Sequence, residues 1–364
     1  MNRRSVKSND LGWQFRQITF TIEDLLHLLE GGQYVNGPNV IDFESKFAAF
    51  SESKFAVGVN SGTSALHAIL ESLGVGPGDE VIVPSLTFIA TISAVLLTGA
   101  TPVIVDVDEN GLMNALSAST GMSSKTKAII PVHLWGSPIA IEEMNGLKEL
   151  SNYVIEDCSQ AHGAKFTDQT PVGKFGIAGA WSLYPGKNLG GVGEGGVITT
   201  DSSGLAKRLS EFRNWGTSST YFHKDFGLNY RMDEINAFFL SKKLEKLTEW
   251  NTRRIAIANT YKHELKNIKF VNNDKGYSVY HQFVISLPNR DALKAHLEGI
   301  GISTQIHYPI PNHQVEFLNP RCRMIGNYAN SENLSESILS LPVHPGLSNE
   351  DVSYVIEAIN EFNN

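Results

Sequence analysis

Short apolar runs alternate with segments of helical periodicity through the first 200 residues. Phe55–Val59 and Glu80–Pro84 are typical of buried strands, and the segment between them carries apolar residues at helical spacing over positions 64–73. Runs rich in valine and isoleucine extend the alternation at 102–106, 128–132 and 153–156, and 179–184 and 196–200 are further strand candidates. Strands that alternate with helices predict an α/β fold with a mainly parallel sheet covered by helices on both faces.

The pattern changes after residue 200. Residues 232–250 predict a long helix, and shorter strands and helices follow it, including a strand at 280–286. We therefore predict an N-terminal arm (1–20), a large α/β domain (21–250) and a small α+β C-terminal domain (251–364). Just after the arm, Thr21 and Asp24 have the spacing of a helix capping box.

Composition narrows the class of protein. The chain of 364 residues has a net charge of -8, so no basic field favours nucleic acid or an anionic membrane. Its longest apolar run is far too short to span a bilayer, and residues 1–10 lack the apolar core of a signal peptide. Two cysteines in 364 residues do not make a disulfide framework. These features predict a cytoplasmic location.

The most informative stretch for chemistry surrounds Lys187. This lysine follows a predicted strand and sits among Pro185, Gly186, Gly190 and Gly191. Such a turn lets a lysine approach a bound aldehyde, and a desolvated lysine can attack as the free amine. The alternative is a solvated loop lysine, which the density of glycine and proline argues against.

Two further groups lie at predicted strand ends, where ligands bind in open α/β sheets. Asn60 to Thr63 joins a strand to a helix, so its free N–H groups could bind a phosphate, although Ser61 or Thr63 could equally be a simple helix cap. Asp157 could hold a protonated ring nitrogen, or it could be a cap or a surface ion pair. None of the eleven histidines lies in a metal-binding motif, so no metal is predicted.

The order of these motifs resembles the DegT/DnrJ/EryC1/StrS sugar aminotransferases, which are enzymes of the fold-type I class that use pyridoxal phosphate (PLP). The matching segments run through most of the chain; they are 60–67, 76–84, 87–91, 99–102, 131–134, 156–163, 182–196, 227–233 and 307–311. Any one of these matches would be weak, but their number and order are not expected by chance.

The resemblance implies a role for each matching residue. Lys187 would be the Schiff-base lysine and proton carrier, and Asp157 would pair with the pyridine nitrogen of PLP. The other implied contacts are Gln160 with the ring hydroxyl, Phe88 with the ring face, Gly62, Thr63 and Ser182 with the phosphate, and Tyr184, His307 and Tyr308 with the sugar. Asn229 would reach the cofactor of a neighbouring subunit, which implies a homodimer with shared active sites.

The implied reaction moves an amino group from an amino acid, such as glutamate, to a nucleotide-linked keto-deoxysugar in the biosynthesis of deoxyaminosugars, including those of O-antigens. The segment 305–311 is more similar to enzymes that act at C3 of dTDP-sugars. The alternatives are amination at C4 of a UDP- or GDP-sugar, a PLP-dependent 3-dehydratase, a non-catalytic PLP-binding regulator, and a transaminase that acts on a cyclitol or a small amino acid. The dehydratases of the family have a histidine where this chain has Lys187, and an intact Lys187, Asp157 and Gln160 argue against the regulator.

Overall fold

A computed structural model describes residues 4–151, 153–219 and 221–362 of the chain. Its α-helices are α1 Leu11–Arg16, α2 Ile22–Glu30, α3 Pro38–Phe50, α4 Gly62–Ser72, α5 Ala90–Leu97, α6 Ala115–Gly121, α7 Ile141–Leu150, α8 Ser203–Phe212, α9 Glu234–Glu264, α10 Arg290–Gly299, α11 Ala329–Ser337 and α12 Asn349–Phe362. Its strands are β1 Phe55–Val59, β2 Glu80–Pro84, β3 Thr101–Val105, β4 Thr126–Ile129, β5 Ile155–Asp157, β6 Ala178–Ser182, β7 Gly196–Thr200, β8 Thr217–Ser219, β9 Phe222–His223, β10 Lys269–Phe270, β11 Phe283–Ser286, β12 Arg323–Met324 and β13 Ile338–Leu341.

The central sheet is mainly parallel, which confirms the predicted α/β fold. Strands β12, β3, β2 and β4 pair in parallel, while β5, β6, β7 and β1 form a second group in which β7 runs antiparallel to both neighbours. Backbone hydrogen bonds join the two groups of strands just after the end of β4: Asp157 N donates to Pro131 O (2.9 Å), and His133 N donates to Asp157 O (3.1 Å). Asp157 therefore ends a strand in the middle of a continuous sheet.

Both faces of this sheet are buried. Along β2, Val81 and Val83 point into one hydrophobic core, while Ile82 points into the other, as expected when successive side chains alternate across a strand. Helices α4 and α5 cover the first core, and α3 packs with α9 over the second. Burial on both faces explains why the strands appear in the sequence as nearly continuous apolar runs.

A smaller antiparallel sheet, β10–β11–β13, lies after residue 265 and packs with α10 and α12 around a third core. The predicted strand at 280–286 begins only at Phe283, because Tyr280 has a φ of 43° and turns the chain before the strand. Helix α9 is continuous across residue 250, the boundary proposed from sequence. The division into two domains there stays a prediction.

The predicted arm contains structure of its own. Helix α1 lies within it, and Val6 forms a parallel bridge with Ile302, so the segment before α1 runs along the C-terminal part of the chain. The capping box at the start of α2 is present: Thr21 Oγ1 accepts from Asp24 N (3.0 Å) and Asp24 Oδ2 accepts from Thr21 N (2.8 Å). Among the described residues, no helix combines the length and the apolar character that crossing a bilayer needs.

Candidate active site

A cavity of about 680 Å³ lies beyond the carboxyl ends of β5 and β6, beside the first turn of α4. Its wall contains all but one of the residues singled out from sequence, namely Gly62, Thr63, Phe88, Asp157, Gln160, Ser182, Tyr184, Lys187, His307 and Tyr308. The exception is Asn229, which does not line the cavity of its own chain. Residues from five separate motifs thus meet at the edge of the sheet where ligands of α/β proteins bind.

Lys187 lies in a turn after β6, where its backbone N–H donates to Tyr184 O (2.9 Å). Burial lowers the pKa of the Lys187 amine to about 8, and the charge of the nearby Asp157 opposes this shift. Asp157 is 4% exposed, and its two carboxylate oxygens accept from Thr91 Oγ1 (2.9 Å) and Ser159 N (3.1 Å). The cavity thus combines a lysine that readily loses its proton with a carboxylate held by fixed donors.

The lowered pKa of Lys187 predicts a pH dependence of folding. An unfolded chain keeps the ordinary lysine pKa of 10.5, so between about pH 8 and pH 10.5 the unfolded state binds more protons than the folded state. The stability of the cofactor-free protein relative to its Lys187→Met variant should therefore rise across this window and be flat below pH 8. Urea unfolding of both proteins from pH 7 to pH 10.5 measures this difference, and a difference that falls with pH contradicts the assignment. Buried Lys243, whose pKa is also lowered to about 8, is common to both proteins and cancels.

One end of the cavity is suited to a phosphate. Ser61 is the N-cap of α4, and its hydroxyl accepts from Ser64 N (3.0 Å), so the simple capping role considered from sequence is real. Gly62 also packs against β6, since a Cβ placed on it would lie 2.7 Å from Ser182 Cβ. The first turn of α4, with its free N–H groups, therefore lies against Ser182 at this end of the cavity, which is lined by Gly62, Thr63 and Ser182.

Gln160 and the aromatic residues form another part of the wall. Gln160 Oε1 accepts from Trp135 N (2.7 Å), which orients the amide so that Nε2 donates to Tyr308 Oη (3.1 Å). The Phe88 ring is 53% exposed and lies 5.9 Å from the Tyr308 ring, centroid to centroid. Phe88 is therefore a wall of the cavity and not a core aromatic, and its face is free to stack on a planar ligand.

Tyr184 and His307 lie further along the same wall. Tyr184 is half exposed, and His307 Nδ1 is 2.9 Å from Ser340 Oγ. Burial, helped by the positive charge of Lys187, lowers the pKa of His307 to about 4, so the imidazole is neutral at neutral pH. Burial raises the pKa of Tyr308, so its phenol stays protonated. This side of the cavity offers uncharged hydrogen-bonding groups.

Asn229 lies on the surface of its own chain. Its Oδ1 accepts from Arg231 Nε (2.9 Å), and its backbone carbonyl accepts from Asn60 Nδ2 (3.2 Å). Asn60 immediately precedes Ser61, Gly62 and Thr63, at the end of the cavity that is suited to a phosphate. Asn229 is therefore exposed and next to the site without lining it.

One cluster among the described residues has the composition of a metal site, but its chemistry is structural. In this buried group, His133 Nε2 donates to Glu156 Oε2 (3.0 Å), and His133 Nδ1 accepts from Ile139 N (3.1 Å). Backbone N–H groups of Gly173 and Gly176 donate to the two oxygens of Glu156. Burial raises the pKa of the third member, Cys158, well above its usual value, so the thiol stays protonated. The ring and carboxylate atoms that would bind a cation are already hydrogen-bonded.

Sequence reasoning missed several residues of the cavity wall: Ser8, Asn9, Arg254 and His281. Asn9 Nδ2 donates to Gly186 O (3.2 Å), so the N-terminal arm reaches the turn that carries Lys187. The sequence did offer a sign of His281: two polar residues, His281 and Gln282, directly precede the apolar strand β11, and a fully buried strand would not include them. Arg254 gave no signal, because a charged residue on a long helix is usually solvated.

Comparisons with known proteins match most of the chain. The DegT/DnrJ/EryC1/StrS aminotransferase family matches residues 17–360. A "dTDP-3-amino-3,4,6-trideoxy-alpha-D-glucose transaminase" of Streptomyces venezuelae is 39% identical over 93% of this chain and 90% of its own. A "dTDP-3-amino-3,6-dideoxy-alpha-D-galactopyranose transaminase" of Aneurinibacillus thermoaerophilus is 41% identical over 92% of this chain and 93% of its own.

A solved structure has the same fold as this chain. The crystal structure of S. venezuelae DesV, in complex with a ketimine intermediate, has a TM-score of 0.92 and 37% identity, and the match covers 98% of each chain. The family match, the identities and the shared architecture each cover more than nine tenths of the chain and not a single motif. This chain belongs to the DegT/DnrJ/EryC1/StrS aminotransferase family, and it is a PLP-dependent aminotransferase.

Proposed function

We propose that this enzyme moves the amino group of an amino acid, glutamate in the simplest case, to C3 of a dTDP-linked keto-deoxysugar. The observation that carries the proposal is the meeting of Lys187 and Asp157 in one cavity with a phosphate-binding end and a wall of neutral donors. The two relatives described above are both named as transaminases that form 3-amino sugars on dTDP, which favours C3 and dTDP.

The residues of the cavity fit PLP. An aldehyde needs an amine that loses its proton easily, which Lys187 supplies, and a pyridine nitrogen needs a fixed carboxylate, which Asp157 supplies. Gly62 allows the close approach of α4 to Ser182 that a phosphate requires. Gln160 Nε2 would donate to the ring hydroxyl, and Phe88 would stack on the ring. When bound, PLP exchanges amino groups through its aldehyde and accepts charge from carbon into its ring.

The chain's own groups do the remaining work. Lys187 Nζ, as the free amine, takes a proton from the α-carbon of the amino donor and later returns one to the sugar carbon that receives nitrogen. Asp157 keeps a proton on the nitrogen that faces it. Tyr184, His307 and Tyr308 orient the sugar through hydrogen bonds that carry no charge, since burial keeps His307 and Tyr308 neutral.

The substrate is tested with a panel of keto-sugars. The purified enzyme with PLP and glutamate is mixed with dTDP-, UDP- and GDP-linked 3-keto and 4-keto deoxysugars, and each product is analysed by mass spectrometry and NMR. We expect 2-oxoglutarate and a 3-amino dTDP-sugar. A 4-amino product on UDP or GDP would replace the proposal by its main alternative. No aminated product from any sugar would refute both.

We further propose that the active enzyme is a homodimer in which Asn229 completes the phosphate site of the partner. Support comes from the exposed position of Asn229 beside Asn60, which precedes that site. Lys187→Ala and Asn229→Ala variants should each be inactive alone. Subunit exchange between them should restore activity, because one site of each mixed dimer has both residues intact. If mixing restores nothing although mass analysis finds mixed dimers, the shared site is wrong.

A further inference from the structure

Arg254 is a buried cation without an anionic partner. It lies on α9, is 2% exposed and forms part of the cavity wall. Its Nη1 donates to the carbonyls of Tyr280 (3.4 Å) and Val343 (3.2 Å). Burial alone lowers the pKa of Arg254 to about 9, and within residues 4–151, 153–219 and 221–362 it forms no ion pair with an acidic side chain.

His281, which lines the same cavity as Arg254, is neutral. His281 Nδ1 is 3.1 Å from Asn188 Oδ1, and the Asn188 amide donates elsewhere, to Asn251 Oδ1 and Val279 O. Asn188 Oδ1 is therefore an acceptor, so His281 Nδ1 carries the proton and Nε2 is left as a lone pair. Burial together with the charges of Lys187 and Arg254 holds the pKa of His281 well below its usual value. The His281 imidazole is therefore uncharged and does not change the net charge around Arg254.

A buried charge without a counter-ion is costly, so this arrangement indicates that an anion completes it. The remaining guanidinium nitrogens of Arg254 make no hydrogen bond to the described chain and are not among its sealed, unpaired atoms. These nitrogens are therefore not sealed off, and Arg254 lines the cavity. A planar guanidinium matches a carboxylate or a phosphate in two parallel hydrogen bonds.

The position of Arg254 selects between these anions. Arg254, His281 and Lys187 all line the same cavity, so the two cations border one space. The α-carbon of the amino donor must come to Lys187 Nζ to lose its proton, and the α-carboxylate is one bond from that carbon. A nucleotide diphosphate is separated from the reacting sugar carbon by several bonds and by the bulk of the ring. Of the two anions, the α-carboxylate is therefore the one held nearest to Lys187, in the cavity that Arg254 also lines.

We propose that the Arg254 guanidinium binds the α-carboxylate of the amino-acid donor. This inference rests on the proposed aminotransfer function and adds the residue that selects α-amino acids as donors. It predicts that every α-amino acid the enzyme accepts depends on Arg254, whatever its side chain. If Arg254 instead bound the γ-carboxylate of glutamate, the use of alanine as a donor would not depend on Arg254, because alanine has no γ-carboxylate.

The test compares Arg254→Gln with Arg253→Gln in the PLP-loaded enzyme. Arg253 is the adjacent arginine of the same helix, and its Nη2 donates to Leu347 O and Asn349 Oδ1, outside the cavity. The absorbance change of the cofactor on mixing with L-glutamate or L-alanine gives the half-saturating concentration of each donor. We expect a rise of about 10- to 100-fold for both donors in Arg254→Gln and less than about twofold in Arg253→Gln.

A binding readout separates this inference from the function itself. 2-Methylglutamate has no α-hydrogen and cannot be transaminated, so its affinity, followed by absorbance, reports the carboxylate site alone. Arg254→Gln should weaken it by a similar factor and leave calorimetric binding of dTDP, UDP and GDP unchanged. If the enzyme aminates no sugar while its affinity for 2-methylglutamate still depends on Arg254, only the proposed function fails. Loss of nucleotide binding with unchanged donor binding, or no change in either, overturns the inference.

The variant could fail to fold, because Arg254 also supports the Tyr280 and Val343 carbonyls. The wild-type enzyme then gives the answer. Phenylglyoxal, which modifies arginine, is applied with and without 2-methylglutamate, and peptides are analysed by mass spectrometry. Protection of Arg254 by 2-methylglutamate, but not by dTDP, supports the proposal. Protection by dTDP, or by neither ligand, contradicts it.

Discussion

Lys187→Ala should lower the rate of amino transfer by about 10⁴-fold and remove the visible absorption of the lysine-bound cofactor. The physical reason is that one nitrogen has two duties, the bond to the aldehyde and the transfer of the proton. Its environment suits both, since burial lowers the pKa of Lys187 to about 8 and so makes the free amine more accessible near neutral pH than it is for an ordinary lysine. Absorbance spectra and rates of 2-oxoglutarate formation from glutamate measure the two effects.

The matched control is Lys243→Ala. Lys243 is buried and its pKa is also lowered to about 8, but its Nζ donates to Gly190 O (2.7 Å) and it does not line the cavity. This variant should be less stable to heat, because a buried carbonyl loses its donor, and should keep the visible absorption. Equal spectral losses in the two variants would mean that general damage, and not the chemistry of Lys187, explains the first result.

Asp157→Asn should lower the rate by roughly 10²- to 10³-fold while the cofactor stays bound. The amide has nearly the same shape as the carboxylate but carries no charge, so it cannot hold a proton on the nitrogen that faces it. Charge that develops on the substrate carbon is then no longer drawn into the ring. Single-turnover rates with glutamate, at cofactor saturation, measure the loss.

Thr91→Val tests the support of this carboxylate. Thr91 Oγ1 donates to Asp157 Oδ2 (2.9 Å), and Ser159 N donates to the other oxygen, so removal of the hydroxyl leaves the charge in place with one donor fewer. The rate should fall by no more than about tenfold, in keeping with one hydrogen bond. An Asp157→Asn enzyme that is as active as Thr91→Val would show that the charge at position 157 is not required.

The sequence allowed the central sheet and most of the cavity to be predicted, for a physical reason. Strands buried on both faces, such as β2, are continuous apolar runs, and the chain changes to polar residues where they end. Asp157 and Ser182 stand at such ends, so their meeting follows from the parallel arrangement. The assignment of roles to Lys187 and Gln160 depended on the family resemblance.

Other parts could not be predicted from the sequence. Helix α11 has few apolar residues, because it buries Ser331 and Ser335 beside Leu334, so it lacks a periodic pattern. The strand β12 has two residues and is stabilised by pairing with distant β3. Arg254 lies in the cavity only because α9 packs beside the small sheet, a tertiary fact without a local signal.

The most direct test of the account is reduction of the PLP-loaded enzyme with borohydride, followed by peptide mass analysis. Reduction makes the bond between a lysine and the aldehyde permanent, so the mass of the cofactor marks the lysine that held it. We predict the added mass on Lys187 and none on Lys243, which is buried with a similar pKa but outside the cavity. Cofactor on Lys243 or any other lysine, with Lys187 unmodified, would contradict the account.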